Sequence, residues 1–405
     1  MYMAQPGHID QIKQNNAGRV YRLIDQHGPI SRIDLSKQSS LAPASITKIT
    51  RELIEGHLVE EIALGVAVGR GRPAIGLRVK HQGWQFLSLR LNQNVLYLAL
   101  HELGGDLLIE HRVNLTCVDQ EGFLDALLTE IQRFLQMYQS VVDRLTSIAI
   151  TLPGSVDPNS GRVLSMPSFQ VSNLELGKAV YQAIGLPVFV GNDVRSWALA
   201  EQMYGHSSKS HNMALVDFQD DVSAGVIVND ALLHGAQGNI GELAHIQIDP
   251  NGELCTCGNR GCLNTLASVE SLKRFLQQEL NQGKKSILRL TPQLTIADIC
   301  QAANNGDKLA FAGIAHLAKH LSKAIAIIVN LFNPEKVLLA GEINQASLIL
   351  YPMLIEEIKK QTPKTHHQEL VLEAAYLSHT TTLPGAALVK QAMYDGELLM
   401  KVIEG

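Results

Sequence analysis

Residues 31 to 58, SRIDLSKQSSLAPASITKITRELIEGHL, constrain the fold most, because they read as two short helices joined by a tight turn. Ser31 can accept from the free N–H groups of a first turn, Asp34 stands at the capping-box spacing, and Gly28 and Pro29 break whatever precedes. A first helix therefore starts here, with Ile33 and Leu35 expected to face inward. Ser39 and Ser40 loosen the chain, and Pro43 suits the first turn of the next helix because its missing N–H costs nothing there. Ile46, Ile49, Leu53 and Ile54 then share one stripe. The opposite face carries Ser45, Thr47, Lys48 and Arg51, a shape and chemistry suited to the major groove of DNA.

Upstream, Asn15 or Asn16 is expected to cap a third helix holding Val20, Leu23 and Ile24. Downstream, residues 58–64 and 74–79 have the apolar and β-branched content of two strands, and GRGRP lies between them at 69–73. Residues 1–80 thus read as a winged helix-turn-helix domain. Arg70 and Arg72, at the tip of the wing, are placed to reach phosphates or a narrow minor groove. Charge agrees with this division. Residues 1–80 hold 11 Lys and Arg against 7 Asp and Glu, a balance of +4; the remainder holds 23 against 32, a balance of −9. Only the first segment suits a polyanion.

At 405 residues the chain exceeds what one core usually organises, and 46 % hydrophobic with 18 % charged is ordinary for an α/β protein. No apolar run of membrane-spanning length stands out, and MYMAQPGHID lacks a basic-then-apolar signal pattern, so cytoplasm is the expectation. The five cysteines do not resemble a secreted disulfide framework. Three of them crowd into HIQIDPNGELCTCGNRGC, which gathers His245, Cys255, Cys257 and Cys262, with Gly258 and Gly261 permitting tight bends. Thiolates and imidazole select zinc over magnesium or calcium, and four protein ligands make a structural site, one Zn2+ per chain. Buried free thiols are the plainer alternative. Cys117 and Cys300 stand alone and read as small core residues.

The body reads as strands at 85–91, 95–101 and 107–115 in an antiparallel meander, a helix over 121–138, a buried strand at 145–152, a helix near Leu174 and a short strand at 188–190. The pattern restarts at 213–217 and 224–228. Two lobes of related topology, joined near 193–200, make an actin-like or sugar-kinase-like α/β body with a cleft between them. The first lobe is assigned 81–194 with 381–405. The second takes 195–380, with the metal site and oligomerisation helices. The apolar segment 309–334 reads first as a core helix. Residues 388–402 present an apolar face broken at Asp395 and Gly396, either packed on the first lobe or open to a partner or membrane.

TLPGSVDPNSG at 151–161, GND at 191–193, GELAH at 241–245 and CTCGNRGC at 255–262 together resemble successive signature blocks of the ROK family, which contains sugar kinases, open reading frames and repressors. The N-terminal winged helix resembles that of the repressors. The resemblance implies zinc at the four residues already named. It also implies sugar contacts at Asn192, Asp193, Glu242 and His245, although Asn192 and Asp193 could equally cap a helix and Glu242 could brace the zinc loop. GCLN departs from the family's GCLE, so Asn264 replaces a carboxylate.

Kinases of the family cradle ATP in two glycine-rich turns, and here those locations read LRLNQNVLY and DFQDDVSAGV. Gln219 stands where a small residue is wanted, and Asp220 and Asp221 repel a triphosphate. Asp193 would then be a base without a phosphate donor, so no enzyme activity and no ATP are expected; a sugar kinase is the remote alternative. The resemblance implies a repressor of phosphotransferase-system sugar-uptake genes, binding double-stranded operator DNA and released when the cytoplasmic domain of the dephosphorylated glucose permease captures it at the membrane. Relief by a sugar or sugar phosphate is the alternative. One recognition helix reads few base pairs, so a homodimer, or a tetramer built from it, is expected.

Overall fold

A computed structural model describes residues 8–64, 74–117, 119–207, 210–218, 221–236, 238, 240–289, 291 and 293–404. It begins with α1 (His8–His27), α2 (Arg32–Ser39) and α3 (Pro43–Glu55). Neither Asn15 nor Asn16 caps α1: both lie inside it, because the stripe Ala17, Val20, Tyr21 and Ile24 is buried and carries the helix well upstream of them. In α2, Ser31 accepts from the Asp34 N–H at 3.1 Å and donates its hydroxyl to the Asp34 carboxylate at 2.7 Å. Leu35 is buried but Ile33 is 69 % exposed, against expectation. Residues two apart on a helix point about 200° apart, so the pair cannot share a face. In α3, Pro43 occupies the first turn and Ile46, Ile49 and Leu53 are buried. Strands β1 (Val59–Leu64) and β2 (Ala74–Val79) pair antiparallel from Val59↔Val79 to Leu64↔Ala74. The tip of this wing, with Arg70 and Arg72, lies outside the described residues.

The meander follows as β3 (Gln85–Asn92), β4 (Val95–Glu102) and β5 (Leu107–Asn114). Helix α4 (Gln120–Met137), capped by Asp119, crosses to β6 (Leu145–Leu152), which runs parallel to β3. Between β6 and the next helix, where the sequence reading assigned no element, the chain forms a small antiparallel sheet, β7 (Ser155–Asp157), β8 (Arg162–Met166) and β9 (Val171–Leu174). Then come α5 (Leu176–Ile184) and β10 (Val188–Asn192), parallel to β6. The sheet order is β10-β6-β3-β4-β5.

The same order returns in the second unit. After α6 (Asp193–Tyr204) come β11 (Met213–Phe218), β12 (Val222–Val228) and β13 (Ala231–Leu232), a second antiparallel meander. Helices α7 (Val269–Asn281), α8 (Ile296–Asn304) and α9 (Lys308–Phe332) lead to β14 (Lys336–Ala340), and α10 (Ser347–Gln361) and α11 (Lys364–His367) lead to β15 (Val371–Ala374). The order β15-β14-β11-β12-β13 repeats that of the first sheet strand for strand. By length and composition α9 could cross a membrane, so the expectation that nothing has that character does not hold for it; yet 61 % of its most apolar window is buried in this unit's core. Leu317, Leu321, Ile325 and Val329 pack there against Leu272, Leu276 and Leu339. Cys300 is buried and Cys117 half-buried.

The chain then returns to the first unit, which comprises residues 1–192 and 382–405, while 193–381 form the second. Helices α12 (Leu383–Tyr394) and α13 (Glu397–Glu404) break at Asp395 and Gly396. Their apolar face is covered: Val389, Met393, Leu398 and Leu399 are buried, α12 packs on β3, β6 and β10, and both helices pack on α1. At the point of return, His101 is locked as a neutral imidazole. Its Nδ1–H donates to the Gly105 carbonyl at 3.0 Å and its Nε2 accepts from the Thr382 hydroxyl at 2.8 Å. Burial pushes His101 down to about 4. The folded value lies below the unfolded one, so this contribution is complete above pH 6.5 and is lost as pH falls toward 4, by about 3 kcal/mol in all. Thermal midpoints from pH 7.5 to 4.5 should therefore fall more steeply for the wild type than for His101→Gln. Parallel curves would refute the assignment.

Candidate metal centre and nucleic-acid interface

The apolar stripe of α3 packs inward, and this leaves Ser45, Thr47, Lys48 and Arg51 exposed on its outer side. Thr47 spends its hydroxyl proton on the Pro43 carbonyl at 2.9 Å, so toward a ligand it offers a methyl group and an acceptor. Arg51 lies 3.8 Å from Glu55 with both side chains about two-thirds exposed, a contact weak enough to exchange for a phosphate or a base edge. Sequence reasoning missed Arg32. Its Nε donates to the buried Thr50 hydroxyl at 3.0 Å and its guanidinium meets Glu61 at 2.7 Å, tying α2, α3 and the first wing strand together. No local pattern announces a contact eighteen or more residues away.

The metal candidates converge in the second unit. His245 closes a one-turn 3-10 helix, Leu243–His245, which the buried Leu243 and Ala244 anchor to the core. Cys255, Cys257 and Cys262 sit on a loop folded back by hydrogen bonds from Gly258 N to Cys255 O and from Cys255 N to Asn259 O. Gly258 and Gly261 take φ of 92° and 63°; a Cβ at Gly261 would lie 1.5 Å from the Asp249 carbonyl, so only glycine fits. The four ligand atoms all lie within 4.8 Å of one another. Cys257 Sγ is 3.6 Å from Cys262 Sγ, and Cys255 Sγ is 3.7 Å from His245 Nδ1. With metal–sulfur bonds of about 2.3 Å, tetrahedral zinc needs ligand separations of about 3.7 Å. The residues fit the ion.

Electrostatics point the same way. Burial, with the Cys257 and Cys255 sulfurs beside it, pushes Cys262 up to about 12. Cys255 falls to about 6: burial opposes ionisation there, but hydrogen bonds from Cys257 and His245 outweigh it. A divalent ion set among the sulfurs would favour their deprotonated forms and remove this conflict.

The sugar-pocket candidates divide between the units. Asn192 ends β10 in the first unit and donates its amide to the Gly154 carbonyl at 2.9 Å. Asp193, Glu242 and His245 belong to the second unit: Asp193 opens α6, and Glu242 stands exposed just before the turn that carries His245. Asn264 buries its carbonyl oxygen without a hydrogen-bond partner among the described residues. Of the phosphate-cradle locations, the first is a tight β3–β4 turn with Gln93 at φ 51° and a fully buried Arg90 behind it. In the second, Gln219 and Asp220 lie outside the described residues.

The ROK family model matches residues 88–392. The chain belongs to the ROK family. It is 45 % identical to the DNA-binding transcriptional repressor Mlc of Escherichia coli K12, over 99 % of this chain and 99 % of that one. It is 41 % identical to the DNA-binding transcriptional dual regulator NagC of the same strain, over 99 % of this chain and 98 % of the relative. A solved ROK family transcriptional regulator, described as a homologue of E. coli Mlc, shares 53 % identity and superposes with a TM-score of 0.92, covering 98 % of this chain and all of its own. The likeness to ROK regulators therefore includes the winged helix as well as the two-sheet α/β body. That is the fold class expected from the sequence.

Proposed function

We propose that the protein is a transcriptional repressor of phosphotransferase-system sugar-uptake genes, acting in the cytoplasm as a homodimer or a tetramer built from it on double-stranded operator DNA. The observation that carries this reading is the exposed polar face of α3 on a winged helix-turn-helix, in a chain similar to Mlc along its whole length. Lys48 and Arg51 are the leading groove or backbone contacts, Ser45 and Thr47 the secondary ones, and Arg70 and Arg72 reach from the wing. His245, Cys255, Cys257 and Cys262 would hold one structural Zn2+, which braces the loop and does no chemistry because no coordination position is left open. Relief comes through capture by the cytoplasmic domain of the dephosphorylated glucose permease. ATP and catalysis play no part, since neither cradle location reads as a glycine-rich phosphate turn.

A second reading, relief by a sugar or sugar phosphate at Asn192, Asp193, Glu242 and His245, is favoured by the similarity to NagC and weakened by Asn264 in place of a carboxylate. One experiment separates them. Operator duplexes enriched by the wild-type protein are titrated with glucose, glucose 6-phosphate, N-acetylglucosamine 6-phosphate or the dephosphorylated permease domain. Release by the permease domain alone is expected; release by a sugar alone would transfer the case to the second reading. In the same assay Arg51→Ala should weaken binding by about 1–3 kcal/mol with unchanged thermal unfolding. Unaltered affinity at physiological salt would displace Arg51 from the interface.

A further inference from the structure

Asp25 is a carboxylate buried where α1 meets α12, with only 6 % of its side chain exposed, and neither groove reading nor the metal site uses it. Three donors converge on it. Lys390 Nζ of α12 lies 2.8 Å from Oδ2, the Tyr394 hydroxyl of α12 donates to the same oxygen, and His81, just past β2, donates from Nε2 to Oδ1 at 3.0 Å. Burial pushes the Asp25 carboxyl up, but the His81 hydrogen bond, the Lys390 charge and hydrogen bond, and the Tyr394 hydroxyl together hold it well below the usual carboxylate range. It is an anion of the helix-turn-helix met at once from the linker after the wing and from the C-terminal helix.

The surrounding contacts reinforce the same seat. Arg22 of α1 lies over the Tyr394 ring at 5.5 Å, and the Tyr21 and Tyr394 rings are 6.4 Å apart. Apolar faces can slide over one another with little penalty, whereas a buried anion satisfied by three fixed donors has one register. Buried ion pairs are poor stabilisers and are best attested as register devices.

We propose that Asp25, through Lys390, Tyr394 and His81, is a positioning residue that holds the DNA-binding head in a single orientation on the C-terminal helices, so that paired recognition helices accept half-sites at one spacing. This rests on the operator reading above. One base pair inserted between half-sites turns one of them by about 35° around the duplex axis. A fixed head cannot follow that turn; a released head can.

The test uses the full-length protein and duplexes that the wild type enriches from a random library, with two base pairs then added or removed between half-sites. Wild-type affinity should fall at least tenfold on either change. The double variant Asp25→Asn, Lys390→Met removes both charges together, so no uncompensated ion is left behind; its penalty should fall below threefold while its affinity for a single half-site stays within twofold of wild type. A role in folding alone would lower both affinities together and leave the spacing penalty intact. Tyr394→Phe removes one donor and keeps the ring, and should cut the spacing penalty at least twofold, which keeps the test decisive should the double variant not fold. A tenfold penalty in every folded variant would overturn the proposal, and enrichment of no duplex by the wild type would remove it together with the operator reading.

Discussion

Cys262→Ser is expected to abolish stoichiometric zinc and to lower the unfolding midpoint of the second unit by roughly 10 °C. Cys262 is fully buried, and its sulfur is the ligand most strongly held in the protonated form when no cation is present. It also joins the loop to the core: the backbone bridge between Gln247 and Cys262 and the buried Leu263 follow directly from its placement. A hydroxyl at this position is a poor zinc ligand, and the remaining three groups would then crowd around a position that no ion fills. Loss of a structural metal ranks with the largest single-site effects, about 4 kcal/mol, and 1 kcal/mol moves the midpoint of a unit this size by about 2–4 °C. Elemental analysis of freshly purified protein should give one zinc per wild-type chain and none in the variant. Wild-type protein without zinc, or a variant with an unchanged midpoint, would end the metal assignment.

Gly18→Ala is expected to do the opposite of what the same change does on an ordinary helix. On an exposed helix interior, alanine in place of glycine stabilises by about 0.5–1 kcal/mol. On α1, the added Cβ would lie 2.1 Å from the Tyr394 carbonyl oxygen and 2.7 Å from the Gly396 nitrogen, both backbone atoms that cannot swing aside. The two segments must separate, at a cost of about 3 kcal/mol as in an overpacked core. Amide exchange in α1 should accelerate and operator affinity should drop at least tenfold, while zinc content stays at one per chain. Slower exchange in α1 would mean that the close approach does not exist in solution.

The parts legible in the sequence were those written locally. The Ser31 cap, Pro43 at the start of α3, the 3.6-residue stripe through Ile46, Ile49 and Leu53, and the alternation of the first meander each depend on neighbours within a few positions. The cysteine loop was legible for the same reason, since its ligands and its two strained glycines lie within eighteen residues. What escaped was non-local or very short. Strands β7 to β9 are three to five residues long and look like turn sequence until they pair with each other. Ile33 was assigned inward because it is apolar, yet the helix phase set by Leu35 turns it outward. Arg32 with Thr50 and Glu61, and Asp25 with Lys390, join positions that only the tertiary fold brings together. Packing of the C-terminal apolar face on the first lobe was among the readings the sequence offered, but its contact with α1 was not, because α1 comes from the opposite end of the chain.

That shared cover has a temporal meaning. Helix α1 leaves the ribosome roughly 350 residues before α12 and α13, the surfaces on which it packs. At bacterial or slower elongation rates of about 5–20 residues per second, the interval is on the order of 20 to 70 seconds. Throughout it the N-terminal module lacks its dock, and a polypeptide abandoned before Leu383 never gains one. Translation order thus delays a properly aimed reader until the far end of the message has been decoded.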